Sequence, residues 1–511
     1  MGALSQFNWN DYLFALPITL LTLFALGILL IDLMLPAEEK WVNGLIAFVG
    51  VLFAVKGVVN IQRWIQASHV PPGRGWPAFM GAMLVDRFAL YFFYLFLAAT
   101  GISILMSMRY MKTEHENHGE YYTLMLLSVV GMMCMAAGFD IVLIFIGLEL
   151  MAISTYVLVG FLRRDRRSNE AALKYLLLGA FSSGIFAYGL SLLYGLTGTT
   201  NLGDIERGLG RLLEKDPHNP VAIVALLTTM TGLLFKIAAI PFHQWAPDAY
   251  EGAPTSITGF MSVAVKAAGW AMLLRIMLWG LLPMRSTWVP VLVFVSIATM
   301  TGANLAALTQ TNTKRLLAYS SIAHVGYMLL GLIAGTVYEL SPDGIKGILI
   351  YLLVYTFMNL GAFGVIASLR HRNVIGDELD DLNGLYSRAP VEAVLMLIFL
   401  LSLAGIPPLA GFWGKYFIFL SLIETGHYAL ASLGVLYSVF GLYYYLKMAN
   451  AMFMGQPEER GQLPVSWSMR AALALSAFAT LFIGVMPDRF IQLVNWSLGL
   501  AQSPAVAKLI H

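Results

Sequence analysis

The sequence predicts an all-α polytopic membrane protein of about fourteen transmembrane helices. Apolar residues make up 59% of its 511 positions and charged residues only 12%, about half the share of an ordinary globular protein. Mean hydropathy is +0.74. The apolar runs are continuous and long, unlike the alternating segments of about ten residues in a membrane β-barrel.

With about 20 apolar residues needed per crossing, the spans fall near 12–34, 41–60, 83–108, 121–138, 140–162, 172–196, 221–240, 255–280, 288–309, 316–336, 345–369, 391–423, 428–454 and 467–490. Short connections make 1–511 a single integral membrane domain. No basic residue occurs between Met1 and Asp11, so a cleaved signal is not expected. Loops after odd-numbered spans carry Arg109, Lys112, Arg163, Arg164, Arg166, Arg167, Lys314, Arg315, Arg370, Arg372 and Arg388. The other side holds about half as many, among them Arg63, Arg74, Arg207, Arg211 and Lys215. The positive-inside rule then places both termini outside, in the periplasm for a bacterial host.

Composition also limits the chemistry. A net charge of +2 gives no reason to expect a nucleic-acid partner. The single cysteine, Cys134, excludes intrachain disulfides and thiolate-ligated iron–sulfur clusters. Of nine histidines only His324 is clearly mid-span, which leaves no bis-histidine haem ligation and no metal site. Gly73-x-Gly75-x-x-Ala78 has a dinucleotide-fingerprint spacing but sits in a loop with no preceding strand.

Two spans are punctuated alike. Lys236-Ile-Ala-Ala-Ile-Pro241 and Ser402-Leu-Ala-Gly-Ile-Pro407-Pro408 both carry Ala-x-Ile-Pro within an apolar stretch. A proline inside a helix removes a hydrogen bond and displaces the carbonyl four residues back, here Ile237 in one case and Leu403 and Ala404 in the other. Broken backbone at membrane depth persists only against protein or a hydrated cavity. The breaks lie in the seventh and twelfth spans. An offset of five inverts topology, as expected for two inverted five-helix repeats, approximately 121–280 and 288–454, with discontinuous helices 7 and 12.

Intramembrane ionisable residues give the sharpest functional signal. Each costs roughly 2.5–3.5 kcal/mol at a helix centre. Glu149 lies about nine residues into its span, hence roughly 14 Å deep at 1.5 Å per residue. Lys236, Lys266 and Lys415 are as far from any loop, Lys174 is somewhat nearer one, and His324 is mid-span. Lys56, Asp86 and Asp140 are nearer helix ends. Snorkelling rescues one or two such lysines, not a set spread over four helices at one depth. Burial favours the neutral form of a lysine. An opposing carboxylate at about 4 Å restores about 4 kcal/mol at an effective dielectric near 20. A Glu–Lys pair that opens and closes is therefore a switch for a proton path, not a covalent active site.

Gly147-Leu-Glu149-Leu-Met, Phe235-Lys236, Pro241-Phe-His-Gln-Trp-Ala-Pro247-Asp248-Ala-Tyr-Glu251-Gly-Ala-Pro254-Thr, Val265-Lys266-Ala-Ala-Gly269 and Thr313-Lys314-Arg-Leu-Leu-Ala-Tyr-Ser-Ser-Ile-Ala-His324-Val-Gly-Tyr resemble the antiporter-like membrane subunits of respiratory complex I. The multisubunit sodium/proton antiporters are relatives. Lysine at 415, where an M-type member is expected to carry glutamate, and an end soon after the fourteenth span, without the lateral helix of an L-type member, resemble the N-type branch.

The resemblance implies a proton relay. Glu149 and Lys236 would form the switching pair, Lys174 would belong to the first half-channel, Lys266 and His324 would continue the axis, and Lys415 would be the terminal donor. It further implies an inner-membrane location, neighbouring antiporter-like and peripheral subunits as partners, and lipids around the chain. FMN, iron–sulfur clusters and quinone would sit in partner subunits and not in this chain. A sodium/proton antiporter subunit and a structural scaffold are the competing readings.

Overall fold

The computed structural model describes residues 10–68, 75–335, 342–370, 377–456 and 466–499. Gly73, Arg74 and Arg372 lie outside these residues. Among them, thirteen helices are long and apolar enough to cross a bilayer. Two shorter helices, Pro390–Ala404 and Ala410–Glu424, lie between the eleventh and twelfth of these and divide the predicted span 391–423. The fold is the all-α membrane bundle expected, apart from one small antiparallel hairpin, Trp76–Ala78 with Met83–Val85. Strands of three residues are too short to leave a period-2 pattern in the sequence.

Several helices run past the spans read from hydropathy, because polar caps outside the apolar run start them. Asp165 accepts from the Arg167 amide and begins Arg166–Thr197. Asn312 accepts from the Arg315 amide and begins Thr313–Ala334. Asp86 and Asp140, read as charges near span ends, cap Arg87–Thr113 and Ile141–Val159 through the Ala89 and Val142 amides. An N-cap accepting one of these orphan amides is worth about 1 kcal/mol. Lys56 is exposed on the outer face of Trp41–Ala67. Two short helices, Leu202–Lys215 and Asp488–Ser497, were not anticipated; neither is apolar enough to register as a span.

The helices sort by burial. The most apolar stretch of Thr255–Gly280 is wholly buried, and those of Thr313–Ala334 and Asp343–Leu369 nearly so. Asn10–Asp32, Arg166–Thr197 and Tyr428–Met454 form the outer face. Lys266 and His324 therefore belong to helices enclosed by other helices.

Both discontinuous helices stop in the same way. Pro220–Ile237 ends on Ala238 at φ 60°, and Pro390–Ala404 ends on Gly405 at φ 89°. Each turn is closed by an amide reaching five residues back, Ala239 to Leu234 and Ile406 to Leu401. This is the Schellman arrangement. The proline expectation is corrected in detail: each helix is terminated by a left-handed residue before its proline, which then prevents resumption. Gly405 suits its position doubly, because a β-carbon there would sit 2.9 Å from Lys415 Cδ.

Arg275, 1% exposed near the end of the eighth span, was missed in the sequence. Its guanidinium holds both Asp86 oxygens at 2.6 and 2.7 Å, and Nε donates to the Ala136 carbonyl at 3.0 Å. The pair ties the hairpin end and third span to the eighth. Asp86→Ala strands a buried guanidinium and is expected to destabilise the chain by about 3–5 kcal/mol, read by thermal melting in detergent. The double variant Asp86→Leu/Arg275→Met should recover much of that loss.

Candidate functional site

Three lysines and one histidine of the expected set are deeply buried. Lys236 and Lys266 are each 2% exposed, His324 2% and Lys415 7%. They come from four different helices: Pro220–Ile237, Thr255–Gly280, Thr313–Ala334 and Ala410–Glu424. Each has a different environment, set by the local fold.

Lys236 is the penultimate residue of its half-helix, so the break follows immediately. Its Nζ is buried with no hydrogen-bond partner and lies 5.6 Å from the Tyr156 ring centre and 5.9 Å from that of Tyr175. Ring faces are negative and attract an ammonium. Tyr175 stacks on Trp245, whose indole donates to the Phe235 carbonyl at 2.9 Å. The half-helix following the break thus packs back on the one preceding it.

Glu149 is half-buried on the fifth span. Its Oε1 is also buried without a hydrogen-bond partner, and among the described residues it makes no ion pair within 4.0 Å. Glu149 and Lys236 thus make no direct ion pair with each other. Val142, Ile146, Ile153 and Val157 of the same helix are exposed, so Glu149 sits beside the outward face of the bundle.

Lys266 follows directly on the π-helical turn Met261–Val265, a local widening of the helix that recurs at functional positions. Its Nζ donates to Ser321 Oγ of the tenth span and lies 5.7 Å from the Tyr250 ring centre. His324, one turn further along that span, is held at both nitrogens. Tyr351 is 2.5 Å from Nδ1 and Tyr445 3.0 Å from Nε2. Lys415 Nζ donates to the Ala404 carbonyl at 2.8 Å and lies 5.1 Å from the Tyr327 ring centre. That carbonyl is one that the helix break leaves available.

Lys174 stands apart from this set. Its side chain is 46% exposed and pairs with Glu170 at 2.8 Å and Asp248 at 3.0 Å. Asp248, on the half-helix Trp245–Gly252, also holds Arg315 at 2.7 Å, and Arg315 reaches Glu251 at 2.8 Å. These groups line an open cavity of about 160 Å³. Asp248, Glu251 and Arg315 stand within the sequence motifs, whereas Glu170 does not. Their mutual distance in the chain hid the cluster.

A family described as "NADH:quinone oxidoreductase/Mrp antiporter, TM" matches residues 138–441. A protein named NADH-quinone oxidoreductase subunit N 1 from Koribacter versatilis is 61% identical over 502 residues, covering 98% of each chain. One named NADH-quinone oxidoreductase subunit N 2 from Solibacter usitatus is 50% identical, covering 96% of this chain and 98% of its own. A chain of respiratory complex I from Thermus thermophilus with bound aureothin superposes with TM-score 0.76 at 31% identity, covering 93% and 98%. With relatives this similar along nearly their whole length, the chain belongs to the NADH-quinone oxidoreductase subunit N family.

Proposed function

We propose that this chain translocates protons across a bacterial inner membrane, driven by electron transfer from NADH to quinone in partner subunits. The observation that carries the reading is the set Lys236, Lys266, His324 and Lys415, buried on four helices and reached by hydroxyl or carbonyl partners at three of the four. Intramembrane charge is costly, and its retention on four helices suits a path for protons.

Glu149 and Lys236 act as the switching pair. When they approach, the carboxylate stabilises the ammonium; when they part, the lysine loses that support and its proton moves on. Lys266 and His324 carry it along the axis, and Lys415 passes it to the far side. Lys174, in the open cluster with Asp248, serves the loop-side mouth of the first half. The two similar breaks belong to inverted five-helix units, approximately 121–280 and 288–454, within one membrane domain. Both termini lie in the periplasm. FMN, iron–sulfur clusters and the quinone site belong to the peripheral and membrane partners.

A neighbouring membrane subunit covers the exposed face of the fifth span. Without it Glu149 would lie close to lipid, an environment unfavourable to a carboxylate.

The experiment is deletion of the chain from its host. NADH oxidation by a water-soluble acceptor should persist while quinone-linked proton uptake by sealed vesicles is lost. Undiminished quinone-linked pumping without this chain would overturn the proposal. Sodium-driven proton exchange independent of NADH would favour an antiporter subunit instead.

A further inference from the structure

The two nitrogens of His324 are each hydrogen-bonded to a phenol, and the chain of bonds extends past them. Tyr351, from Asp343–Leu369, is on Nδ1, and Tyr445, from Tyr428–Met454, is on Nε2. The Tyr445 hydroxyl is shared with Ser320 Oγ. Ser320 neighbours Ser321, the acceptor of Lys266. At the opposite end the Tyr351 ring packs on Gly414, where a β-carbon would meet Tyr351 Cδ2 at 2.9 Å. Gly414 immediately precedes Lys415. All four members of the chain, Ser320, Tyr445, His324 and Tyr351, are at most 2% exposed. Three helices therefore bring together an unbroken hydroxyl–imidazole series between the neighbourhoods of two buried lysines.

We propose that Tyr351 and Tyr445 are relay residues that pass a proton through the ring of His324 between the Lys266 and Lys415 sides. A neutral imidazole carries one N–H and one acceptor nitrogen, and a phenol or serine hydroxyl both donates and accepts. A proton from the Lys266 side enters at the Ser320 hydroxyl as Ser320 passes its own to Tyr445 and Tyr445 gives its proton to Nε2. An Nε2–H bond forms, the Nδ1–H bond breaks, and the Nδ1 proton goes to Tyr351, which releases its own toward Lys415. One proton enters and one leaves, and no charge remains on the ring. Rotation of the hydroxyls and a turn of the imidazole restore the starting tautomer before the next passage.

The inference rests on the proton-translocation reading. Its test uses the assembled complex in sealed vesicles, carrying Tyr351→Phe, Tyr445→Phe or, separately, Lys266→Met. Phenylalanine keeps the ring and removes only the hydroxyl. Each Tyr→Phe variant should assemble on native gels, lose most of its NADH-driven proton uptake and show an altered H₂O/D₂O rate ratio. If Tyr445→Phe does not assemble, Tyr351→Phe tests the same relay from the other side of the ring. Normal uptake in the Tyr→Phe variants beside a defective Lys266→Met would overturn the relay and leave the wider reading standing. Reduced uptake with an unchanged isotope ratio would assign the phenols to packing and equally overturn it. Normal uptake in all three variants would remove the wider reading as well.

Discussion

Lys415→Arg is expected to cut NADH-driven proton uptake by about a hundredfold while leaving the complex intact on native gels. Arginine keeps the positive charge but cannot give up its proton at any accessible pH. A fixed structural cation would tolerate that change and suffer from methionine; a carrier fails with both. The geometry sharpens the contrast. Lys415 Nζ has a carbonyl partner in Ala404 at 2.8 Å and an aromatic face in Tyr327, so a guanidinium would find both an acceptor and a ring. Gly405 crowds the lysine stem, and Lys415→Met, of similar length without the charge, controls for packing. Normal proton yield in Lys415→Arg together with a defect in Lys415→Met would assign Lys415 a structural role.

Glu149→Gln should reduce pumping to a similar extent, with Glu149→Asp milder. Neutralising the side chain removes about 4 kcal/mol of attraction available to a lysine approaching to about 4 Å at an effective dielectric near 20. The lack of a direct ion pair matters here. Because Glu149 and Lys236 already have atoms without hydrogen-bond partners, glutamine breaks no bond seen in the structure, and stability should change little. Only a process that visits the closed pair would register the substitution. Full pumping by the Gln variant in sealed vesicles would refute the switching pair.

These side chains were legible in the sequence because a charge within an apolar run stands out whatever it contacts. The spans were legible for the same reason, and Thr255–Gly280 has the bounds expected of it. Partners were not legible. Arg275 and Asp86 are 189 positions apart, and His324 and Tyr445 are 121 apart, distances over which hydropathy carries no pairing information. Arg275 itself was detectable as an intramembrane arginine within nine residues of Lys266. The tyrosines around His324 were not, since in a chain with 23 of them a buried tyrosine reads as packing until its hydroxyl is placed. The helix breaks were seen through their prolines, yet Ala238 and Gly405 end the helices. An alanine in the left-handed region has no local signature.

The most direct measurement is the number of protons taken up per NADH oxidised, with the turnover rate, in sealed vesicles carrying the assembled complex with Lys266→Met. Lys266 is central, 2% exposed and bonded to Ser321. Methionine fills nearly the same volume without a titratable group. If buried lysines carry the proton, quinone-linked turnover and proton uptake should both collapse while NADH oxidation by a soluble acceptor is retained. If Lys266 takes no part in proton transfer, the assembled variant should keep its proton yield at unchanged turnover, and that result would contradict the account.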